Sequence, residues 1–278
     1  MKQIITLLAL LLLTTLAFSQ KAEKLKGSKI VTTGEKTTGL FSSVSIEDDI
    51  QVLFIKADSS GIELEADDNL QEALKIVNNS GRLTVGLNNK LKSFKKFEIK
   101  LFYTDALKKI EATDQSKVMI LDEMELEEIT FALHKKSKLY LNLKTKLATI
   151  EVNDDAVAEL NAKSEKLNFV LTKNGSIKGL VAATEMKVDQ YQRSSTTFEG
   201  DVIDLKLRMD NNSKLFGKKL TAKNAEILAE SYSETSVFVE TSVVISAFAN
   251  SEIELFGEPA IELKKFTGKT VLKKNILK

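Results

Sequence analysis

The 278-residue sequence has no cysteine, no tryptophan, one histidine (His134), one proline (Pro259) and three arginines (Arg82, Arg193 and Arg208). The absence of cysteine excludes disulfides, thiolate metal centres, cysteine nucleophiles and a lipid-bearing N-terminal cysteine. A lone histidine excludes any site that needs two, and structural or catalytic zinc asks for three or four ligands. With no Trp and only four Tyr, aromatic platforms for stacking sugars are scarce. An excess of either charge is missing too, since 40 Lys+Arg face 39 Asp+Glu. Nucleic acid and anionic membrane surfaces both select for a Lys/Arg surplus, so neither is an expected partner. At 43% hydrophobic residues the chain is too apolar to be disordered. Glycine-flanked serine elbows, phosphate loops and dinucleotide fingerprints do not occur.

Long hydrophobic runs are absent but for one. Met1 and Lys2 precede Ile4 to Leu16, broken by Thr6, Thr14 and Thr15, and Ala17-Phe18-Ser19 follows. A charged start, a short apolar stretch and small residues at the two positions a signal peptidase reads, Ala17 and Ser19, form a secretory signal peptide over residues 1–19. The run is too short for a spanning helix, which needs about 20 apolar residues, and no later segment approaches that length. After cleavage one Lys is lost, 40 − 1 = 39, and the mature chain is formally neutral. The expected location is extracytoplasmic (periplasm, outer surface or secreted) with no integral membrane span.

What the chain does contain is a repeat. Ile110, Ile129, Ile150, Phe169, Val188, Leu207, Ile227, Ile245 and Leu263 recur at intervals of 18–21 residues. Around them apolar and polar residues alternate, as in Leu167-x-Phe169-x-Leu171 and Ile203-x-Leu205-x-Leu207, the mark of strands with one buried face. A second column, Ser116, Ser137, Asp155, Gly175, Thr196, Ser213, Thr235, Ser251 and Lys269, is mostly small and polar and suits a repeated tight turn. Two residues beyond it lie Val118, Leu139, Val157, Ile177, Phe198, Leu215, Val237, Ile253 and Val271, all apolar. A unit of about 19 residues with two short strands is too small for helical repeats or propeller blades, and the leucine-rich consensus is missing. The reading is all-β: a right-handed parallel β-helix over residues 107–275, each coil stacking on the last. The near absence of proline agrees, because proline cannot donate to a ladder.

Residues 41–106 read as a less regular β-rich part packed on the solenoid, and 20–40 as a polar lead segment. Asn69–Lys75 is the one short helix, and Asn79-Ser80-Gly81-Arg82 is a hairpin turn.

The opening Phe41-Ser42-Ser43-Val44-Ser45-Ile46 with Ile50-Gln51-Val52, the central Leu107-Lys108-Lys109-Ile110-Glu111-Ala112, and the closing Leu255-Phe256-Gly257-Glu258-Pro259 carry a resemblance. Over about residues 40–273 the chain resembles the head GIN domain family of auto-transporter adhesins. Where that family's turns read Ser-Gly-Ser or Ser-Gly-Ala, Ser137-Lys138, Ser213-Lys214 and Ser251-Glu252 lack the glycine. The resemblance implies an exported β-helical protein with an adhesin-like role, and it carries over no catalytic residue and no cofactor.

Three constellations bear on chemistry. His134 sits in a lysine-rich turn without a second ligand. Asp48-Asp49, Asp67-Asp68 and Asp154-Asp155 lack both the calcium nonapeptide and EF-hand spacing and read as solvated turns. Asp189 and Arg208 follow equivalent ladder residues one coil apart, so they face each other at strand spacing, with Tyr191, Arg193 and Asp210 near. An exposed cross-strand ion pair is the simpler account of them. The alternative is a β-helical polysaccharide lyase or hydrolase using the patch Asp189, Arg193, Arg208 and Asp210. The leading expectation is a non-enzymatic interaction protein meeting a protein or glycan of the cell envelope, with no metal or cofactor.

Overall fold

A computed structural model of the chain describes residues 24–275. The segment read as a signal peptide lies outside the described residues.

Seven strands of 14–17 residues dominate: Lys117–Leu133, Lys138–Val152, Val157–Leu171, Ser176–Gln190, Ser195–Met209, Lys214–Ala229 and Glu234–Ala247. Each pairs in parallel with the next, and the stack forms a β-solenoid of about 9 turns at about 19 residues per turn. Within a coil the buried positions alternate, then change parity once. In Lys138–Val152, residues Leu139, Leu141, Leu143 and Thr145 point inward, and beyond the bend so do Ala148, Ile150 and Val152. The bend is tied by hydroxyls. Thr145 Oγ1 donates to the Glu127 carbonyl at 3.0 Å, and Ser164 Oγ donates to those of Lys146 and Lys166 at 3.0 and 2.9 Å.

Four-residue turns close the coils. Ser116 N–H donates to the Thr113 carbonyl at 3.1 Å, Ala156 to Asn153 at 3.2 Å, and Ser233 to Glu230 at 3.1 Å. The first central residue is left-handed in every coil, filled by Asp114, Lys135, Asp154, Lys173 and Gln192 at φ between 57° and 62°. In three later turns both central residues have positive φ (Asn211–Asn212, Ser231–Tyr232 and Ala249–Asn250), as in the turns of tight hairpins.

The backbone register corrects the sequence columns. The ladder runs Ile110, Phe131, Ile150, Phe169, Val188, Leu207, Ile227, Ile245 and Leu263, so its second rung is Phe131, and Ile129 pairs with Ala148. Both residues are buried and apolar, and pattern alone does not choose between them. The residue closing each turn is Ser116, Ser137, Ala156, Gly175, Ser194, Ser213, Ser233, Ser251 and Thr270. It is therefore Ala156, Ser194, Ser233 and Thr270 that hold the places assigned to Asp155, Thr196, Thr235 and Lys269. Thr196 and Thr235 are the next inward residues and are buried, so hydroxyls occupy two rungs expected to be apolar.

The N-terminal part is woven into the stack. Ser43–Ile46 and Gln51–Lys56 lie in parallel between Arg82–Leu87 and Phe97–Tyr103 on one side and residues 109–119 on the other. In space the coil of residues 82–103 therefore sits below that of 43–56, the reverse of chain order. Val31–Lys36, expected as loose lead, is a strand antiparallel to Gly61–Asp67, which in turn pairs antiparallel with Phe97–Tyr103. Its polar TTG sequence lacks the alternation by which a strand is recognised. Asp68–Ala73 forms a short 3-10 helix, and the Asn79–Arg82 hairpin is present with Ser80 and Gly81 both at positive φ.

Asp67 fastens this end. Its carboxylate is buried and accepts the N–H groups of Lys29 at 2.8 Å and of Lys95 and Lys96 at 3.0 Å. Burial opposes the charge, but these three donors prevail and hold the carboxyl below its usual range.

Candidate functional site

A groove runs along the stack just past the bend of each coil. Its volume is about 620 Å3, and it crosses five coils, roughly 19 Å at ~4.8 Å per coil. Two outward columns line it: Lys166, Glu185, Asp204, Asn224 and Ser242, and beside them Asn168, Lys187, Lys206, Glu226 and Val244. Buried Met186, Leu205 and Ala225 form its floor. Period-2 alternation puts every second residue of a strand outward, and parallel stacking in register brings the same position of each coil alongside its neighbours. The lining is knitted coil to coil. Lys166 pairs with Glu185 at 3.0 Å, Asn224 Nδ2 donates to Asp204 at 3.0 Å, and Ser242 Oγ donates to Asn224 Oδ1 at 2.9 Å.

A second hollow of about 610 Å3 lies toward the N-terminal end of the stack, lined by Lys56, Asp105, Glu125, Glu127, Lys144, Lys146 and Glu165 among others. It too is self-paired: Lys56 with Asp105 at 2.7 Å, Lys144 with Glu125 at 2.5 Å, and Lys146 with Glu127 at 2.6 Å. The Lys144 ammonium bonded to Glu125 holds that carboxyl below its usual range, and Glu127 raises Lys146 in the same way. Both hollows offer donors and acceptors already partnered within the protein. They suit a polar ligand that trades contacts with them.

The sequence-derived patch is only partly assembled. Asp189 and Arg208 occupy paired backbone positions as expected, but they form no ion pair. Lys187 takes the Asp189 carboxylate at 2.7 Å, while the Arg208 guanidinium lies over the Tyr191 ring, 5.6 Å from its centre. Arg193 is drawn to a turn, where Nε donates to Asn174 Oδ1 at 3.0 Å. Asp210 is engaged by its own neighbour, accepting from Asn211 N and Nδ2 at 2.7 and 3.1 Å. Through Lys187, Asp189 borders the groove.

The other sequence candidates are structural. The His134 carbonyl accepts Ser137 N–H and Oγ, at 3.2 and 2.9 Å, closing its turn. Asp48 accepts Leu87 N–H at 2.8 Å, and Asp154 accepts Lys135 N–H at 3.1 Å. Among the described residues no three His, Cys, Asp or Glu side chains come together to hold a metal ion. The groove lies on outward columns other than that of Asp189 and Arg208, the one the sequence reading singles out. The signal was available, since residues 166, 185, 204, 224 and 242 recur at the ladder's own period and are all polar.

This fold and its grooved flank define a class, the parallel β-solenoids. The profile described as "Putative auto-transporter adhesin, head GIN domain" matches residues 40–259, and the chain belongs to that family. It is similar in structure to a crystal structure described as a putative adhesin from Parabacteroides merdae, at 16% identity and a TM-score of 0.59, covering 92% of this chain and 100% of that one. A putative adhesin from Parabacteroides distasonis gives 15% identity and a TM-score of 0.60 over 91% and 100%. A "putative lipid binding protein" from the same species gives 15% identity and 0.56 over 92% and 100%. At these identities the likeness speaks for the fold. No curated protein matches the sequence. No helix among the described residues is long and apolar enough to cross a membrane.

Proposed function

We propose that this is a non-enzymatic, extracytoplasmic adhesin-like protein that presents its grooved flank to a glycan or protein of the cell envelope. The observation that carries the reading is the groove of Lys166, Glu185, Asp204, Asn224 and Ser242. It is long, open along the stack, and rich in hydrogen-bonding groups. Such a surface recognises an extended polar polymer by many modest contacts. Acid–base chemistry asks instead for two or three groups converging on one atom. The patch Asp189, Arg193, Arg208 and Asp210 has no such convergence, its members being turned to Lys187, Tyr191, Asn174 and Asn211. Family membership supports an adhesin-like role and an external partner. Export rests on the Met1–Ser19 segment, whose charge, apolar run and Ala17-Phe18-Ser19 site suit signal-peptide cleavage.

Incubating the mature protein with a panel of acidic and neutral polysaccharides, and reading retention and product together, tests this. Retention without new reducing ends or unsaturated products is expected. Turnover lost in Asp189→Ala and Arg208→Ala variants that remain folded would make the protein an enzyme.

A further inference from the structure

The two ends of the solenoid are finished differently. At the N-terminal end, antiparallel strands cross the stack and cover the edge of its first coil. At the C-terminal end, Ala260–Phe266 and Val271–Asn275 pair in parallel with residues 242–247 and 252–256, and no described strand pairs with their other edges. All seven residues of Ala260–Phe266 are exposed. Leu263, the last rung of a ladder buried in every preceding coil, is 49% exposed, and Ile261, Phe266 and Val271 lie open beside it. Charge concentrates here as well. Residues 260–275 carry Lys264, Lys265, Lys269, Lys273 and Lys274 against Glu262 alone, a net of 5 − 1 = +4 within a formally neutral mature chain. Lys273 and Lys274 reach back to Glu252 and Glu258, and Lys265 lies over the Phe248 ring, 4.6 Å from its centre. Lys264 and Lys269 form no ion pair among the described residues.

We propose that this end is a docking edge for an extended acidic strand of another protein, which adds as the next coil. An open strand edge is a row of unpaired N–H and C=O groups, which a further strand satisfies. The exposed rungs Leu263 and Ile261 offer that strand the apolar contacts each earlier coil gives the next. The lysines decide the partner's sign. A second copy would bring Lys264, Lys265 and Lys269, which no carboxylate neutralises among the described residues, against their own kind, and like charges across an interface disfavour that pairing. A bilayer interior cannot satisfy an open sheet edge. An extended polypeptide rich in Asp or Glu meets all three requirements.

The test uses the mature chain and fluorescent peptides of alternating valine and glutamate, of valine and lysine, and of valine and glutamate interrupted by proline. Binding is followed by anisotropy and by hydrogen exchange of residues 260–275. The glutamate peptide is expected to bind and to protect these amides. Affinity should drop about tenfold or more in Lys264→Glu/Lys265→Glu/Lys269→Glu and with the proline peptide. The groove swap of Lys166 and Glu185 described below should leave it unchanged, which separates this edge from the groove. Equal binding of the lysine peptide, indifference to proline, no binding at all, self-association of the protein alone, or retention on anionic vesicles in place of peptide would each overturn the proposal.

Discussion

The Lys135 backbone N–H donates to the Asp154 carboxylate across one coil, at 3.1 Å. The same carboxylate takes the ammonium of Lys173 from the coil beyond, and the Lys135 ammonium reaches down to Asp114. Stacked turns with left-handed residues thus become a zipper of alternating charge. All four of its members, Asp114, Lys135, Asp154 and Lys173, sit at the position where φ is positive. Asp is among the residues that enter that region most readily, and its short acceptor reaches the next turn.

Asp154→Ala removes an acceptor from a backbone donor and from a lysine at once. A loss of about 1 kcal/mol is expected from the hydrogen bond. Lys136→Ala, at the exposed neighbouring turn position, should be nearly silent. Urea denaturation of the two variants beside the parent checks the difference.

The pH dependence follows from the same carboxylates. Hydrogen bonding to Lys135 lowers Asp114, Lys173 and then the Lys135 amide lower Asp154, and Lys144 lowers Glu125. A carboxyl depressed in the folded state stabilises the fold above its unfolded value, about 4, and that contribution fades as pH falls through the folded value. Thermal melts should therefore be level across neutral pH and decline below about pH 4. In Asp154→Asn the decline should be shallower. A melting temperature that rises on acidification would contradict the ladder.

Phe198 fills a space that Gly179 leaves. Along the inward column Leu141, Leu160, Gly179 and Phe198 stack in register, and a Cβ on Gly179 would lie 3.2 Å from the Phe198 ring and 2.8 Å from Leu160. The ring also packs on Phe169 at 4.8 Å between centres. Phe198→Ala is expected to cost roughly 3–5 kcal/mol. Gly179→Leu alone overfills the layer and should cost about 1–3 kcal/mol. Combined, the two should cost less than their sum. Additive losses in denaturation would show that the residues do not share this space.

Much of the architecture was legible because burial enforces it. The rungs from Ile150 to Leu263 recur at fixed intervals, since each must meet the same position of the coil before. Two of the choices that failed, Ile129 against Phe131 and Thr196 against Ser194, lay between residues of like chemistry both facing inward, while Asp155 against Ala156 and Lys269 against Thr270 were slips of one residue within a turn. Pattern reports the facing of a residue, and hydrogen bonding decides its rung. The reversed stacking of residues 43–56 and 82–103 was invisible, because strand alternation carries no information on which coil lies above. At the site, the pairing of Asp189 with Arg208 was correct for the backbone and wrong for the side chains. Lys187, two residues away on the same face, was the nearer cation.

The central claim is that the groove is the recognition face, and an exchange of charges within it tests that most directly. Lys166→Glu with Glu185→Lys keeps the ion pair across the coils, so stability should stay within about 1 kcal/mol, while the pattern offered to a ligand is inverted. The control is the same exchange at Lys214 and Glu234, which pair at 2.9 Å outside the groove. Binding of each folded variant to intact envelope preparations is then measured beside the parent. Loss of binding in the groove swap with the control unaffected is the predicted result. Undiminished binding in the groove swap, or equal loss in both, would contradict it.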